Sequence, residues 1–232
     1  MCIRRLHPLL LVLCLTCGPT RLRADYATAF TTPPHVPGGS IIGKEGWDYR
    51  LPPKEDQSAT ARVVAVRWNG YRPALMLKGA NLKNAFPPTT GDLVTLRFTL
   101  ACTFPDMGGT GKQFRLGFIG APMGEIFMDL GAEGGLGYAA DGSGRGGVVV
   151  LKKSEMRVNS FYSCEISIDY AARTYDIRIT GQKRDAADFV HEVKGAAFDL
   201  PKARAVTGLY LLGGGSITAY LGALEVKSSR GG

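Results

Sequence analysis

Phe161-Tyr162-Ser163-Cys164-Glu165-Ile166-Ser167-Ile168-Asp169-Tyr170, followed three residues later by Thr174-Tyr175-Asp176-Ile177-Arg178-Ile179-Thr180, decides the fold class. In the first run Tyr162, Cys164, Ile166, Ile168 and Tyr170 alternate with Ser163, Glu165, Ser167 and Asp169. In the second, Tyr175, Ile177 and Ile179 alternate with Asp176, Arg178 and Thr180. Successive side chains of a strand point to opposite faces, so each run reads as a strand covered on one side and wet on the other. A helix would need its apolar residues three and four apart.

The same period extends outward. Val94, Leu96, Phe98, Leu100 and Cys102 alternate with Thr95, Arg97, Thr99 and Ala101. Further strands are expected over 61–67, 74–78, 113–119, 125–130, 148–152, 206–212 and 217–226. Turn-forming residues fill the gaps at 105–111, 131–137, 141–147 and 213–215, drawing on 31 glycines in 232 residues. Only 185–194 reads equally well as a short helix. So many short strands without a long helix predict an all-β fold, an antiparallel β-sandwich of two sheets. The length suits one large domain, and no repeat or linker divides it.

The N-terminal stretch reads as a targeting segment. Arg4 and Arg5 precede the apolar run Leu9–Leu15, and Leu22-Arg23-Ala24 offers a cleavage site, the pattern of a secretory signal over 1–24. The run is too short to span a bilayer. Lipidation at Cys14 or Cys17 is disfavoured, because Leu13 and Thr16 stand where such processing needs a small residue. The expected mature chain is therefore secreted or periplasmic. It has an irregular leader over 25–38, a sandwich over 39–228 and a tail over 229–232. Loss of Arg4, Arg5, Arg21 and Arg23 would lower the net charge from +8 to +4. The remaining bases are dispersed, with only Lys152-Lys153 and Lys183-Arg184 adjacent, which disfavours nucleic acid as a partner. Cys102 and Cys164 would be the only cysteines left, a candidate disulfide in an oxidising compartment or else two buried thiols.

Three stretches together resemble one superfamily: Gly39-Ser40-Ile41-Ile42-Gly43-Lys44-Glu45-Gly46-Trp47, the strand pair 161–180, and Leu209-Tyr210-Leu211-Leu212-Gly213-Gly214-Gly215 leading to Thr218–Val226. They are similar to secreted bacterial jelly rolls of the concanavalin A-like lectin/glucanase superfamily, in its laminin-G-like form. Phe161-Tyr162 and Cys164 stand where these proteins often carry a Trp-containing pattern. The resemblance implies a jelly roll over roughly 39–228 and leaves lectin modules, glycosidases, lyases and adhesive domains as functions.

Candidate ligand-binding residues follow from the polar phase of the strands. Glu125, Phe127 and Asp129 should share one face of 125–130, an aromatic flanked by two carboxylates, with Arg115 on the neighbouring strand able to pair across. Trp68, in the turn Trp68-Asn69-Gly70-Tyr71, is a candidate sugar-stacking platform, whereas Trp47 is expected to pack at the sandwich edge. Glycosidases of the laminarinase type carry acids at closer alternating spacing than Glu125, Asp129 and Glu133. Glu125 and Asp129 would stand about 13 Å apart along a strand, against about 5 Å for a retaining pair and about 6.5–9.5 Å for an inverting one. No catalytic residues are assigned. His35 and His191 lack the setting of a lyase base. The glycines of 108–112 and 142–147 lack phosphate-loop or dinucleotide spacing. Asp106 and Asp141 could lend oxygens to Ca²⁺, but no Asp-x-Asp-x-Asp run accompanies them, and no cofactor is required. The leading expectation is an exported, non-catalytic module binding a carbohydrate or extracellular polymer. A glycoside hydrolase and a structural or adhesive domain are the alternatives.

Overall fold

A computed structural model describes residues 25–30, 37–51, 60–68, 72–103, 112–129, 131, 133–140, 147–198, 205–214 and 218–229. The expected signal segment 1–24, the glycines 108–111 and 142–146, Asp106, Asp141 and His35 lie outside the described residues. The strands in chain order are β1 (Tyr26–Thr28), β2 (Trp47–Leu51), β3 (Thr60–Val66), β4 (Arg72–Lys78), β5 (Asn81–Ala85), β6 (Leu93–Thr103), β7 (Lys112–Ile119) and β8 (Glu125–Asp129). They continue with β9 (Gly135–Ala139), β10 (Val148–Lys152), β11 (Tyr162–Asp169), β12 (Thr174–Gln182), β13 (Asp188–Ala197), β14 (Gly208–Gly213) and β15 (Thr218–Ser229). Among the described residues there is no helix, hence none long and apolar enough to cross a membrane.

Two antiparallel sheets result, as the alternation predicted. One runs β13-β12-β11-β6-β15-β4-β3 with β1 added beside β15, and the other runs β10-β9-β8-β7-β14-β5-β2. Their inner faces carry the apolar phase of each strand. Leu96, Leu100, Ile166 and Ile177 of the first sheet and Leu116, Ile126, Leu136 and Leu211 of the second are all fully buried in one core. Each such side chain contributes about 1.5–3 kcal/mol. Phe98 and Phe118 meet between the sheets with ring centroids 5.4 Å apart. A slip of one residue would turn an entire apolar set outward, so this core fixes the register.

One expectation is corrected and two open readings are resolved. Residues 188–197, which lie largely in the segment that could have been a helix, form strand β13, paired along β12 from Gln182↔Asp188 to Thr174↔Ala197. The leader is not wholly irregular, since Tyr26–Thr28 pairs with Leu224–Val226 and Phe30 reaches the core. Cys102 and Cys164 are free and buried. Their strands are neighbours, but Cys164 stands opposite Phe98, four residues from Cys102. That offset is about 13 Å along the strand, well beyond the Cα separation of about 4.4–6.8 Å a disulfide tolerates. Burial pushes the Cys102 thiol up to about 12 and raises that of Cys164 as well.

One irregularity shapes the outer face of the first sheet. β15 changes register against β6 between Leu221 and Leu224. Before the bulge its other edge pairs with β4, and after it with β1. Gly222 permits this, because a Cβ there would fall 2.0 Å from Thr99 Oγ1.

Candidate functional site

The sequence-predicted residues divide between the two sheets. Arg115, Glu125, Phe127 and Asp129 lie on β7 and β8 of the seven-stranded sheet, whereas Trp68 follows β3 of the eight-stranded one. Ile126 and Met128 enter the core as expected, which sends Glu125 and Phe127 to the outer face. There, however, both are buried. Phe127 is 2% exposed, its ring laid against two glycines of β9 and the approach to β10. A Cβ at Gly137 would stand 2.7 Å from that ring and one at Gly147 2.5 Å from it. Phe127 is a packing residue, so it offers no stacking surface.

Glu125 is 5% exposed. Tyr210 donates its hydroxyl to Glu125 Oε1 at 3.0 Å, and Arg115 Nη1 lies 3.7 Å from Oε2. The Arg50 guanidinium lies 4.6 Å from the centroid of the Tyr210 ring. Burial, with the Glu125 charge beside it, pushes the Tyr210 phenol up to about 12. The predicted Arg115–Glu125 pair therefore exists, with a carboxylate that is buried and held through Oε1 by Tyr210, while Oε2 makes no hydrogen bond among the described residues. Asp129 caps a turn, its Oδ1 accepting the Gly131 N–H at 2.7 Å.

The open concavity is on the other sheet. A groove of about 760 Å³ crosses the outer faces of β12, β11, β6 and β15. Ala27, Thr28 and Ala29 form one wall together with Glu45, and the lining includes Arg97, Thr99, Ser163, Glu165, Arg178, Thr180 and Glu225. The register builds it in rows: Arg178 stands opposite Glu165, Glu165 opposite Arg97 and Arg97 opposite Glu225. One step along, Thr180, Ser163 and Thr99 form a hydroxyl row. Arg97 forks onto Glu165, Nε to Oε2 at 3.0 Å and Nη2 to Oε1 at 3.2 Å, and reaches Glu225 Oε2 at 3.8 Å. The bonds and charge of Glu165 raise the Arg97 guanidinium above its ordinary range.

Beyond the hydroxyl row lies an aromatic patch. Trp68 meets Tyr220 edge-on at 4.8 Å and Phe161 at 6.0 Å, tilted by 46°. The Trp68 and Phe161 rings edge a second concavity of about 380 Å³, lined also by Arg72, Ser160, Gly181 and Gln182. Trp68 is half-buried and lines this second concavity. Among the described residues no group of three or more His, Cys, Asp or Glu is gathered to hold a metal ion.

Arg97, Glu165, Arg178 and Glu225 were not singled out from sequence. Their signal was present as the polar phase of the cleanest strands, but nothing local says which polar residues become neighbours across strands.

This arrangement of two sheets, with an open polar face on the longer one, is a concanavalin A-like jelly roll. The carbohydrate esterase vb_24B_21 of the Shiga toxin-encoding bacteriophage phi24B superposes with a TM-score of 0.53 at 9% identity, over 89% of this chain and 99% of its own. Peanut lectin bound to a nine-residue peptide gives 0.51 at 9% identity, over 88% and 96%. The Bauhinia forficata lectin in complex with GalNAc gives 0.50 at 10% identity, over 82% and 95%. Identities this low establish the shared fold alone. No family model matches the chain, and no curated protein matches it in sequence.

Proposed function

We propose that the chain is an exported jelly-roll module that binds a glycan, or a similar hydroxyl-rich extracellular polymer, along the outer face of its eight-stranded sheet without cleaving it. The groove of about 760 Å³ carries this reading; its volume lies in the range of ligand sites, about 300–1,000 Å³. Its floor supplies guanidinium donors, carboxylate acceptors and a row of hydroxyls, the complement of a polyol. The neighbouring rings of Trp68, Phe161 and Tyr220 add apolar faces on which a sugar ring can lie. Two of the solved structures sharing the fold are lectins and one is a carbohydrate esterase, which agrees with this choice. Export rests on the basic and apolar pattern of 1–24.

A glycan array and soluble polysaccharides, titrated against the full chain and against Ser163→Trp, test the proposal. Ser163 is exposed and lines the groove, so an indole there fills the groove without entering the core. Binding that is lost in Ser163→Trp at unchanged melting temperature is the expected result. Silence across all saccharides overturns the proposal and favours an adhesive domain.

One observation favours a second reading, a glycoside hydrolase. Glu165 and Glu225 lie two strands apart across β6, about 9–10 Å between backbones, near the separation of an inverting pair. Against it, the Arg97 guanidinium occupies the gap where the attacking water would stand. Reducing-sugar release from a bound polysaccharide, abolished by Glu165→Gln, would establish hydrolysis; binding without turnover supports the module.

A further inference from the structure

The two concavities on this face differ in their electrostatics. In the groove the Arg97 guanidinium is shared between two carboxylates, Glu165 and Glu225, so little of its charge is left for a ligand. The smaller pocket, at the Trp68 end of the sheet, has no acidic residue among the described residues of its lining. Arg72 is exposed there; its guanidinium lies 5.8 Å from the Phe161 ring centroid, and among the described residues no carboxylate pairs with it. Gln182 adds to the same bias. Its side-chain oxygen accepts a hydrogen bond from Arg157 Nη1, and a guanidinium can only donate, so the amide has its NH₂ left to offer. Ser160 contributes a hydroxyl. The polar groups of the pocket are thus donors beside aromatic walls, a setting that favours an anion carried on a ring.

We infer that this pocket takes an acidic sugar, a uronate or similar carboxylate-bearing residue of the glycan. Its ring lies against Trp68 and Phe161, and its carboxylate is received by Arg72 with support from Gln182. The inference rests on the glycan-binding reading and deepens it: the groove accommodates neutral chain, and the pocket selects for negative charge. Arg72 is fitted to this role because a planar fork matches a carboxylate in two bonds, which an ammonium cannot do.

The test uses the full chain with oligogalacturonate, oligomannuronate and hyaluronan, each beside its carboxyl-reduced counterpart. The expected result is that at least one acidic oligosaccharide binds about tenfold or more tightly than its reduced form, the factor that 1.4 kcal/mol supplies. The preference should fall with added salt, vanish in Arg72→Gln and survive in part in Arg72→Lys, while Trp68→Ala weakens both forms. Arg72 is at the surface, so melting temperatures should not move. Equal binding of acidic and reduced forms, or a preference that persists in Arg72→Gln, overturns the inference while leaving the groove reading intact. Failure of every saccharide, acidic and neutral alike, overturns both.

Discussion

Replacing Phe127 distinguishes a packing residue from a binding one. Its ring lies on the outer face of the seven-stranded sheet, yet it is 2% exposed because Gly137 and Gly147 leave space for it. Truncation of a buried Phe to Ala costs about 3–5 kcal/mol. Phe127 packs against one sheet surface instead of between two, which puts Phe127→Ala at the lower end, about 3 kcal/mol. For a domain of this size each kcal/mol moves the melting temperature by about 2–4 °C, so a fall of about 6–12 °C is expected. Phe127→Leu, which refills much of the volume, should lose about half as much or less. Differential scanning calorimetry measures both. Saccharide binding, assayed well below the variant's transition, should be unchanged, because the groove lies on the other sheet. A melting temperature within a degree or two of the parent, together with lost binding, would refute this and return Phe127 to the ligand site.

The remaining predictions concern the same packing logic. In Gly117→Ala a Cβ would fall 2.2–2.5 Å from atoms of the Tyr210 ring. Displacing that ring strips Glu125 of its hydroxyl donor, and chemical denaturation should show a loss of about 1–3 kcal/mol; an unchanged midpoint would mean that the ring is not held there. Burial holds the phenols of Tyr26, Tyr170 and Tyr210 at about 12 against an ordinary 10. Folding therefore favours their neutral forms, and the stability they contribute is complete below pH 10 and lost as pH rises from 10 to 12. Denaturant midpoints followed alongside phenolate absorbance should fall together over that window, and phenols titrating at their ordinary value with flat stability would contradict it. Mass-mapped maleimide labelling should leave Cys102 and Cys164 untouched in the native protein and modify both in denaturant without reductant; a bridged pair would resist in both.

The strands that alternate cleanly, β6, β11 and β12, were legible in the sequence because half-burial imposes a period of two on any chain that forms such a sheet. Strand β9, Gly135-Leu136-Gly137-Tyr138-Ala139, was hidden by its glycines, which look like turn residues until Phe127 is seen lying across Gly137. Strand β13 was ambiguous because it lies at the sheet edge, where fewer side chains are buried and the period weakens. Glu125 and Phe127 were assigned correctly to the outer face and wrongly to solvent, since Tyr210, Arg115, Gly137 and Gly147, which pack against them, come from other parts of the chain.

What the sequence determined by itself was the phase of each strand, and with it the fold class and the set of residues able to form a core. Phase is a local property, set by which side chains avoid water, so it can be read residue by residue. Tertiary structure alone decided the order of strands and their register, and these are long-range facts. They keep Cys102 away from Cys164 and bring Arg97 between Glu165 and Glu225. They also leave Arg72 beside Trp68 with no acid, among the described residues, to neutralise it. A binding face is assembled across strands, by partners that no single stretch of sequence contains.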